Sequence, residues 1–549
     1  MIILVEEYPY DASLILPYLQ GGIENLVGED QKISVGYVGY YFNSIINDCV
    51  FFLPKVVMDN SDKVLSKCRP EDCIELSKSH LSPDDRNFIS GLSVWIYRTI
   101  NEYRKQAVKT TTIYRQTISR IDRTHKLKDG TLLDKYLSII DFSNRYKDFF
   151  TFIAKEKHSG YNKVNWTKTV NKCQPYFQNG RPFYINPISK RKQIDFDEEL
   201  IVIFFSIVHY LNSTYGFSGH INIGYELIKD AKFRNYLNGF GKLRLMRIKH
   251  KYFSDTLLNI WNLCYVFFDS AEQIKSSQTF RDYLLVKNFE LVFQAMIDEL
   301  IGERGPVDEL KKQDDGKVVD HIYPYESLIN SNDIYYIGDS KYYKTGYNVK
   351  GESRYKQYTY AKNIIQYNLN IFLRDEIGVI PCLPYRDDLT EGYNVTPNFF
   401  ISAEISSSNR SYAADNLTHR IGEDKRSRQF RNRLFDRDTL WLSHYNLNFL
   451  YVLSVYAGGS RYAKSAFKEK ARRLFREKII EVLIDNYYFY EIVNTDIRKF
   501  VNDNFRDYVG KLYHFDDRLI LALEKSEPDS DLIFKRLDKL GILQVYPLK

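Results

Sequence analysis

The most constraining stretch of this chain is VVDHIYPYESLINSNDIYYIGDSKYYK, residues 318–344. Two apolar, β-branched and aromatic runs, 317–323 and 334–340, flank a polar connection, PYESLINSND. That pattern predicts two short strands folded back on each other. Side chains alternate faces along a strand, so Asp339 and Lys341, two apart, share a face. Asp320, at the end of the partner strand, is placed to bring a second carboxylate to them.

The residue types then suggest a chemistry. Two hard carboxylate donors suit Mg²⁺, which keeps several waters and binds phosphate. Such an ion acidifies water and offsets charge on a phosphodiester transition state. A lysine beside it orients the water or helps to deprotonate it. A carboxylate, a gap and then Asp-x-Lys is thus the signature of metal-dependent phosphodiester cleavage. The plain alternative is a pair of carboxylates capping a hairpin. The acidic-x-Lys spacing itself recurs at Asp30/Lys32, Asp230/Lys232, Glu309/Lys311, Asp315/Lys317 and Glu423/Lys425. Those copies fall mostly in polar turns or helical context; only Asp339 ends an apolar strand with a second one upstream.

Upstream, 280–301 has helical periodicity and carries Glu290 and Gln294 on one face, four residues apart. Glu290 is the candidate third carboxylate; a solvated position is its alternative. Downstream, YKQYTYAK brings Lys356, Gln357 and Tyr360 to the start of a helix expected over 355–369. A helix N-terminus attracts phosphate, unless this face is simply solvated.

Length and composition set the frame. A chain of 549 residues holds three or four folding units at about 150 residues each. With 44% hydrophobic and 27% charged residues it is globular rather than disordered. Six scattered cysteines without a CxxC pair argue against a disulfide scaffold, a zinc ribbon or a cysteine-held cluster. The first residues carry no basic, apolar leader, and the longest apolar run, 200–211, is well short of the roughly 20 residues of a bilayer span. A cytoplasmic protein with no membrane partner is expected. A net charge of +7 is compatible with nucleic acid without identifying it. The 45 tyrosines fit an AT-rich coding bias, with base stacking as the alternative.

The expected fold class is mixed α/β and multidomain. Residues 1–80 read as a β-rich N-terminal domain, with strands at 33–42 and 49–57, for DNA or partner binding. Residues 81–279 read as a mainly helical scaffold, opened by an N-cap at Ser82 and interrupted by an irregular island at 162–189. Residues 280–460 read as the α/β catalytic core, with β-like segments near Ile371 and Phe399. Residues 461–549 read as helical, ending in a helix, a stop at Gly541 and a strand. GGSRYAKS at 458–465 imitates a phosphate-binding loop after a strand-like run, but Ala463 stands where that loop needs glycine.

With those residues in view, the chain resembles the PD-(D/E)xK nuclease superfamily, and more narrowly the LlaJI/McrC-like restriction endonuclease subunits. The hairpin motif and YKQYTY resemble that group's metal-binding hairpin and following helix. NWTKTV at 165–170 with Gly180-Arg181-Pro182, and RLFDRDTLWLSHYNLNFLYVLSVYA at 433–457, resemble further signatures of it. Val319 stands where the family has proline. The resemblance covers about 160–480. It implies a PD-(D/E)xK nuclease core with Asp320, Asp339 and Lys341 as the catalytic set and Glu290 joining them. The metal ligands would be Asp320, Asp339, Glu290 and the Ser340 backbone carbonyl. Mg²⁺ is the implied cofactor, with Mn²⁺ as a substitute. DNA is the implied substrate, in a restriction or anti-phage role. The implied partners are a separate McrB-like AAA+ motor and a second copy of the chain.

Positive charge suited to DNA gathers beside the motif at Lys344, Lys350, Arg354 and Lys356, with Gln357, and again at Arg420, Lys425, Arg426, Arg428, Arg431, Arg433 and Arg437. A solvated loop partly paired to Glu423, Asp424 and Asp436 is the alternative. A stand-alone repair or recombination nuclease and a non-catalytic DNA-binding adaptor are the competing readings of the whole chain.

Overall fold

The computed structural model describes residues 1–19, 32–106, 113–116, 131–147, 153–158, 164–193, 198–215, 217–222, 224–276, 282–303, 308–311, 318–330, 332–347, 349, 351–373, 385–406 and 410–548. Three multi-stranded sheets and their covering helices make a mixed α/β chain, multidomain in appearance.

The first sheet runs in the order Ile2–Val5, Asp48–Leu53, Tyr37–Asn43, Asp282–Lys287, Ile113–Gln116. Its N-terminal strands are buried along almost their whole length, which explains their near-continuous apolar runs. Two of its strands come from far along the chain. The helix expected over 280–301 is therefore a strand, Asp282–Lys287, then Asn288 at φ 58°, then the helix Phe289–Ile301. A short apolar run such as YLLV does not declare its period, so the strand was hidden in a helical pattern. Close pairing here depends on Gly39, because a Cβ at that position would lie 2.2 Å from the Leu284 carbonyl oxygen.

Between these segments the chain is largely helical. Pro83–Gln106 begins where Ser82 Oγ accepts from the Asp85 amide at 3.2 Å, the expected cap. Glu199–Tyr215 and Asp255–Ser276 follow, the former buried along most of its length. Among the described residues no helix is long and apolar enough to cross a membrane. The irregular island holds a short helix, Trp166–Lys172, and a hairpin, Tyr176–Gln178 with Arg181–Phe183. Cys68 and Cys73 form one local disulfide.

The second sheet has the order His321–Glu326, Asp333–Lys341, Asn398–Glu404, Leu440–Asn448, Thr418–His419, and Lys425–Ser427 also pairs with Leu440–Asn448. The first pair is the antiparallel hairpin; the next two pairings are parallel. Ile371 belongs to the helix Gly351–Leu373 rather than to a strand. One continuous hydrophobic core joins the first and second sheets.

The C-terminal part departs further from expectation. After the long helix Arg461–Asn486 comes a four-stranded sheet of Tyr487–Ile492, Leu512–Phe515, Arg518–Glu524 and Leu543–Val545, with its own small core. The helix Pro528–Asp538, Gly541 at φ 66° and the last strand appear as expected. The imitation of a phosphate-binding loop at 458–465 lies between two helices, not after a strand. Its Lys464 is held by Glu299 at 2.5 Å, so that segment is a helix–helix corner.

Candidate active site

Hairpin register brings the two aspartates together. His321 pairs with Gly338, so the next step outward sets Asp320 opposite Asp339. The two carboxyls share a hydrogen bond, and Asp320 also accepts from the Ser340 amide at 3.0 Å. Burial, and then the adjacent Asp339 charge, pushes the Asp320 carboxyl well above the usual range. Lys341 is ion-paired to Asp339 and lies over the Phe400 ring, 5.0 Å from its centre. Asp339 is buried, and Asp320 and Lys341 are half-buried.

The opposite face of the same strand is fixed by a polar relay. A carboxylate only accepts, so His321 donates from Nδ1 to Asp298 at 3.3 Å. Its Nε2 then accepts from the Ser340 hydroxyl at 2.5 Å. Lys311 completes the chain, 2.7 Å from both Asp298 oxygens. Burial opposes the Asp298 charge, yet the His321 and Lys311 contacts outweigh it and hold its pKa below the usual value. His321 is fully buried, so this Ser–His–Asp succession admits no substrate and acts as a brace. Gly338 completes the fit: a Cβ there would fall 2.1 Å from the Phe399 ring.

The helix Phe289–Ile301 buries Phe289, Val292, Phe293, Met296 and Ile297 and turns its next face to the site. Gln294, not Glu290, meets Asp320, donating from its amide at 3.0 Å. Glu290 is exposed one turn earlier, and among the described residues it makes no hydrogen bond or ion pair. No group of three or more His, Cys, Asp or Glu side chains able to hold a metal occurs among the described residues. Asp320 and Asp339 offer two adjacent hard oxygen donors of the type a divalent cation takes; between themselves they share a hydrogen bond, and Lys341 pairs with Asp339.

The helix Gly351–Leu373 lies on the Asp339 face, where Gln357 donates to Asn398 at 2.7 Å. Gln357 is buried there, which gives it a packing role. Lys356 stays exposed; a bond to Tyr360, and the fields of Asp339 and Asp320, raise its pKa. The other expected contacts divide. Lys344 is ion-paired to Asp62, and Lys350 lies outside the described residues. Arg426 and Arg428 converge on Glu524 of the C-terminal sheet, at 2.8 and 2.6 Å. Arg433 lies over Phe430 and near Asp436; Arg431 is exposed but within 3.8 Å of Glu527, and Arg437 faces solvent.

Beside the aspartates is a recess of about 220 Å³ lined by Val349, Arg354, Phe400, Glu423, Lys425, Leu442 and His444. Phe400 is its shared wall, since it neighbours Asp339 on one strand and His444 on the next. His444 sits between Ser402 Oγ at 2.7 Å and Glu423 Oε2 at 2.8 Å. Burial, with Arg420 and Arg354 nearby, lowers its pKa to about 4, so the ring is neutral at neutral pH. Sequence reasoning gave no role to His321, Asp298 or His444. A signal existed for Asp298 alone, four residues after Gln294 on the same helical face.

Compared with known proteins, the chain matches no family model, no curated protein and no solved structure.

Proposed function

We propose that this chain is a Mg²⁺-dependent endodeoxyribonuclease with a PD-(D/E)xK-type core, acting as the nuclease subunit of a restriction or anti-phage system. The observation that carries the reading is the register that sets Asp320 opposite Asp339 with Lys341 on the same face. Asp320, Asp339 and the Ser340 backbone carbonyl would hold the ion; Mn²⁺ would substitute. When bound, it neutralises phosphate charge and acidifies water. Lys341 positions the attacking water in line with the scissile phosphate and offsets developing charge. Gln294 fixes the Asp320 carboxyl, and the relay through His321 fixes the strand that carries Asp339 and Lys341. Lys356 draws the DNA backbone in, while Arg354 and Lys425 in the recess take a neighbouring phosphate. One such site cuts one strand, so a double-strand break calls for two copies or two engagements. The separate AAA+ motor follows from the family resemblance alone.

Plasmid cleavage with magnesium tests the reading, comparing wild type with Lys341→Ala, each with and without the neighbouring motor subunit and nucleotide. Cutting by wild type only with the motor is the expected result. Cutting without it favours a stand-alone nuclease. Absence of cutting in every arm, with no heat of Mg²⁺ or Mn²⁺ binding, overturns the catalytic reading in favour of a DNA-binding adaptor.

A further inference from the structure

Residues 164–193 differ from the rest of the chain in charge and in what they expose. The segment carries Lys168, Lys172, Arg181, Lys190, Arg191 and Lys192 and no acidic residue at all. Globular surfaces ordinarily mix both signs, so a one-sign stretch of this length sets up a positive field. On it stand large apolar side chains that face water: Trp166 at 61% exposure, Phe177 at 72% and Phe183 at 58%. Such side chains are ordinarily buried, and grouping them at one place marks a binding surface.

The local fold explains how they are presented. Asn179 and Gly180 both have positive φ, 51° and 74°, the tight turn that twists with its strands. Register then sets Tyr176 opposite Phe183 and Phe177 opposite Pro182, so the two aromatic groups lie on opposite faces of the ribbon. Every residue from Tyr176 to Phe183 is exposed, so among the described residues nothing covers either face. The base of the ribbon is nevertheless fixed. Asn165 N donates to the Ile188 carbonyl at 2.7 Å, and Ile188 N donates to Thr169 Oγ1 at 2.9 Å. A bare two-stranded ribbon buries too little to be stable alone, so a pinned one with aromatics outward is built to be covered by something else.

We infer that this ribbon, with Trp166 beside it, is a second DNA-binding site that stacks its aromatic rings on unpaired bases. Charge selects the partner: phosphate matches a surface on which Lys168, Lys172 and Arg181 are exposed and the sequence from 164 to 188 holds no acidic residue. The exposed rings of Trp166, Tyr176, Phe177 and Phe183, which outnumber the exposed aliphatic Val170 and Ile185, select the bases, since every base offers a π-face. Gln178, Asn179 and Arg181 at the tip add donors and acceptors for base edges. The inference extends the nuclease reading by adding a binding surface outside the cleavage site. It also stands apart from cleavage, since binding is measured without metal.

The test is fluorescence anisotropy of a labelled DNA oligonucleotide, single-stranded and as its duplex, with full-length protein in EDTA at several salt concentrations. Wild type should favour the single strand. Joint Phe177→Ala and Phe183→Ala should weaken it by about tenfold or more with little change in salt slope. Arg181→Gln should flatten the slope by about one phosphate contact. Trp166 emission should fall on adding the single strand, and Trp166→Phe should remove that response; this decides the matter even where the double variant is unstable. Equal affinity in wild type and the aromatic variants overturns the inference, as does a preference for duplex. Loss of self-association instead of DNA affinity, seen by sedimentation, also overturns it and assigns the ribbon to a second copy of the chain. Retained ribbon binding without magnesium-dependent cleavage would leave this inference standing and remove the nuclease reading.

Discussion

Tyr342 donates its phenolic hydrogen to Glu6 at 2.5 Å, so the residue immediately after Lys341 is fastened to the N-terminal sheet. The same loop is held at Thr345, whose amide donates to the Met58 carbonyl at 2.9 Å, and at Gly346, whose carbonyl accepts from Asn60 at 2.9 Å. The N-terminal sheet thus bears directly on the strand that carries the candidate catalytic groups. Any partner that shifts residues 55–62 pulls on the end of that strand.

This fastening has a pH signature. Burial pushes the Glu6 carboxyl up to about 7, although Tyr342 and Lys55 oppose the shift. Between its ordinary value of 4.5 and about 7, the folded chain therefore holds more protons than the unfolded chain. Glu6 then makes stability fall as pH rises through that window, with the full loss reached above it. Glu6→Gln keeps an acceptor for Tyr342 and removes the titration. Denaturation should find it level with wild type near about pH 4 and more stable by up to about 3 kcal/mol near about pH 8. A gap that does not change with pH would refute the buried-carboxyl account.

Lys341→Ala should reduce magnesium-dependent cleavage by about 10²–10⁴-fold. It also leaves Asp320 and Asp339 facing each other without their cation. Thermal denaturation should therefore show a larger rise in melting temperature on adding Mg²⁺ to this variant than to wild type. Asp339→Asn should lose both the cleavage and the Mg²⁺ response. A variant that melts identically with and without Mg²⁺ would count against the aspartate pair as its site.

The hairpin and its aspartates were legible because a two-residue period and a polar turn leave little freedom. Glu290 and Gln294 were rightly placed on one helical face, but spacing alone does not say which turn meets Asp320. Asp282–Lys287 was hidden because its pairing partner, Tyr37–Asn43, is remote in sequence. The C-terminal strands were missed for a related reason. Each is short, and Tyr487–Ile492 directly continues the helix Arg461–Asn486 with no Gly or Pro between them. The basic residues at 420–437 looked alike in sequence; only the fold separates Arg426 and Arg428 on buried Glu524 from Arg437 in solvent.

Gln294 and Glu290 make a direct comparison. Gln294→Ala removes a donor from a buried Asp320 and lets the carboxyl turn away from Asp339. Cleavage should fall by about tenfold, the size of one lost hydrogen bond to a charged group. Glu290→Gln should change it less, because that side chain is exposed and Gln294 makes the contact. Steady-state cleavage rates of the two variants, at saturating magnesium, check the order. The reverse order would put Glu290 in the metal site after all.

Arg428 and Lys356 separate structural charge from DNA-binding charge. Glu524 is almost fully buried and takes both Arg426 and Arg428, along with the Asn432 amide at 2.9 Å. These contacts outweigh its burial and hold its pKa below the usual value. Removing one partner of a buried pair strands the other, at a cost of about 3–5 kcal/mol when the charge has no substitute. Arg428→Ala should cost less than that, because Arg426 remains, but it should lower melting temperature and leave the salt dependence of DNA binding unchanged. Lys356→Ala should do the opposite, with melting unaffected and the salt slope reduced by about one contact. Glu524→Ala leaves two arginines unpaired and should be the least stable of the three. If Arg428→Ala instead flattens the salt slope with no loss of stability, the guanidinium reaches DNA and its bond to Glu524 is incidental.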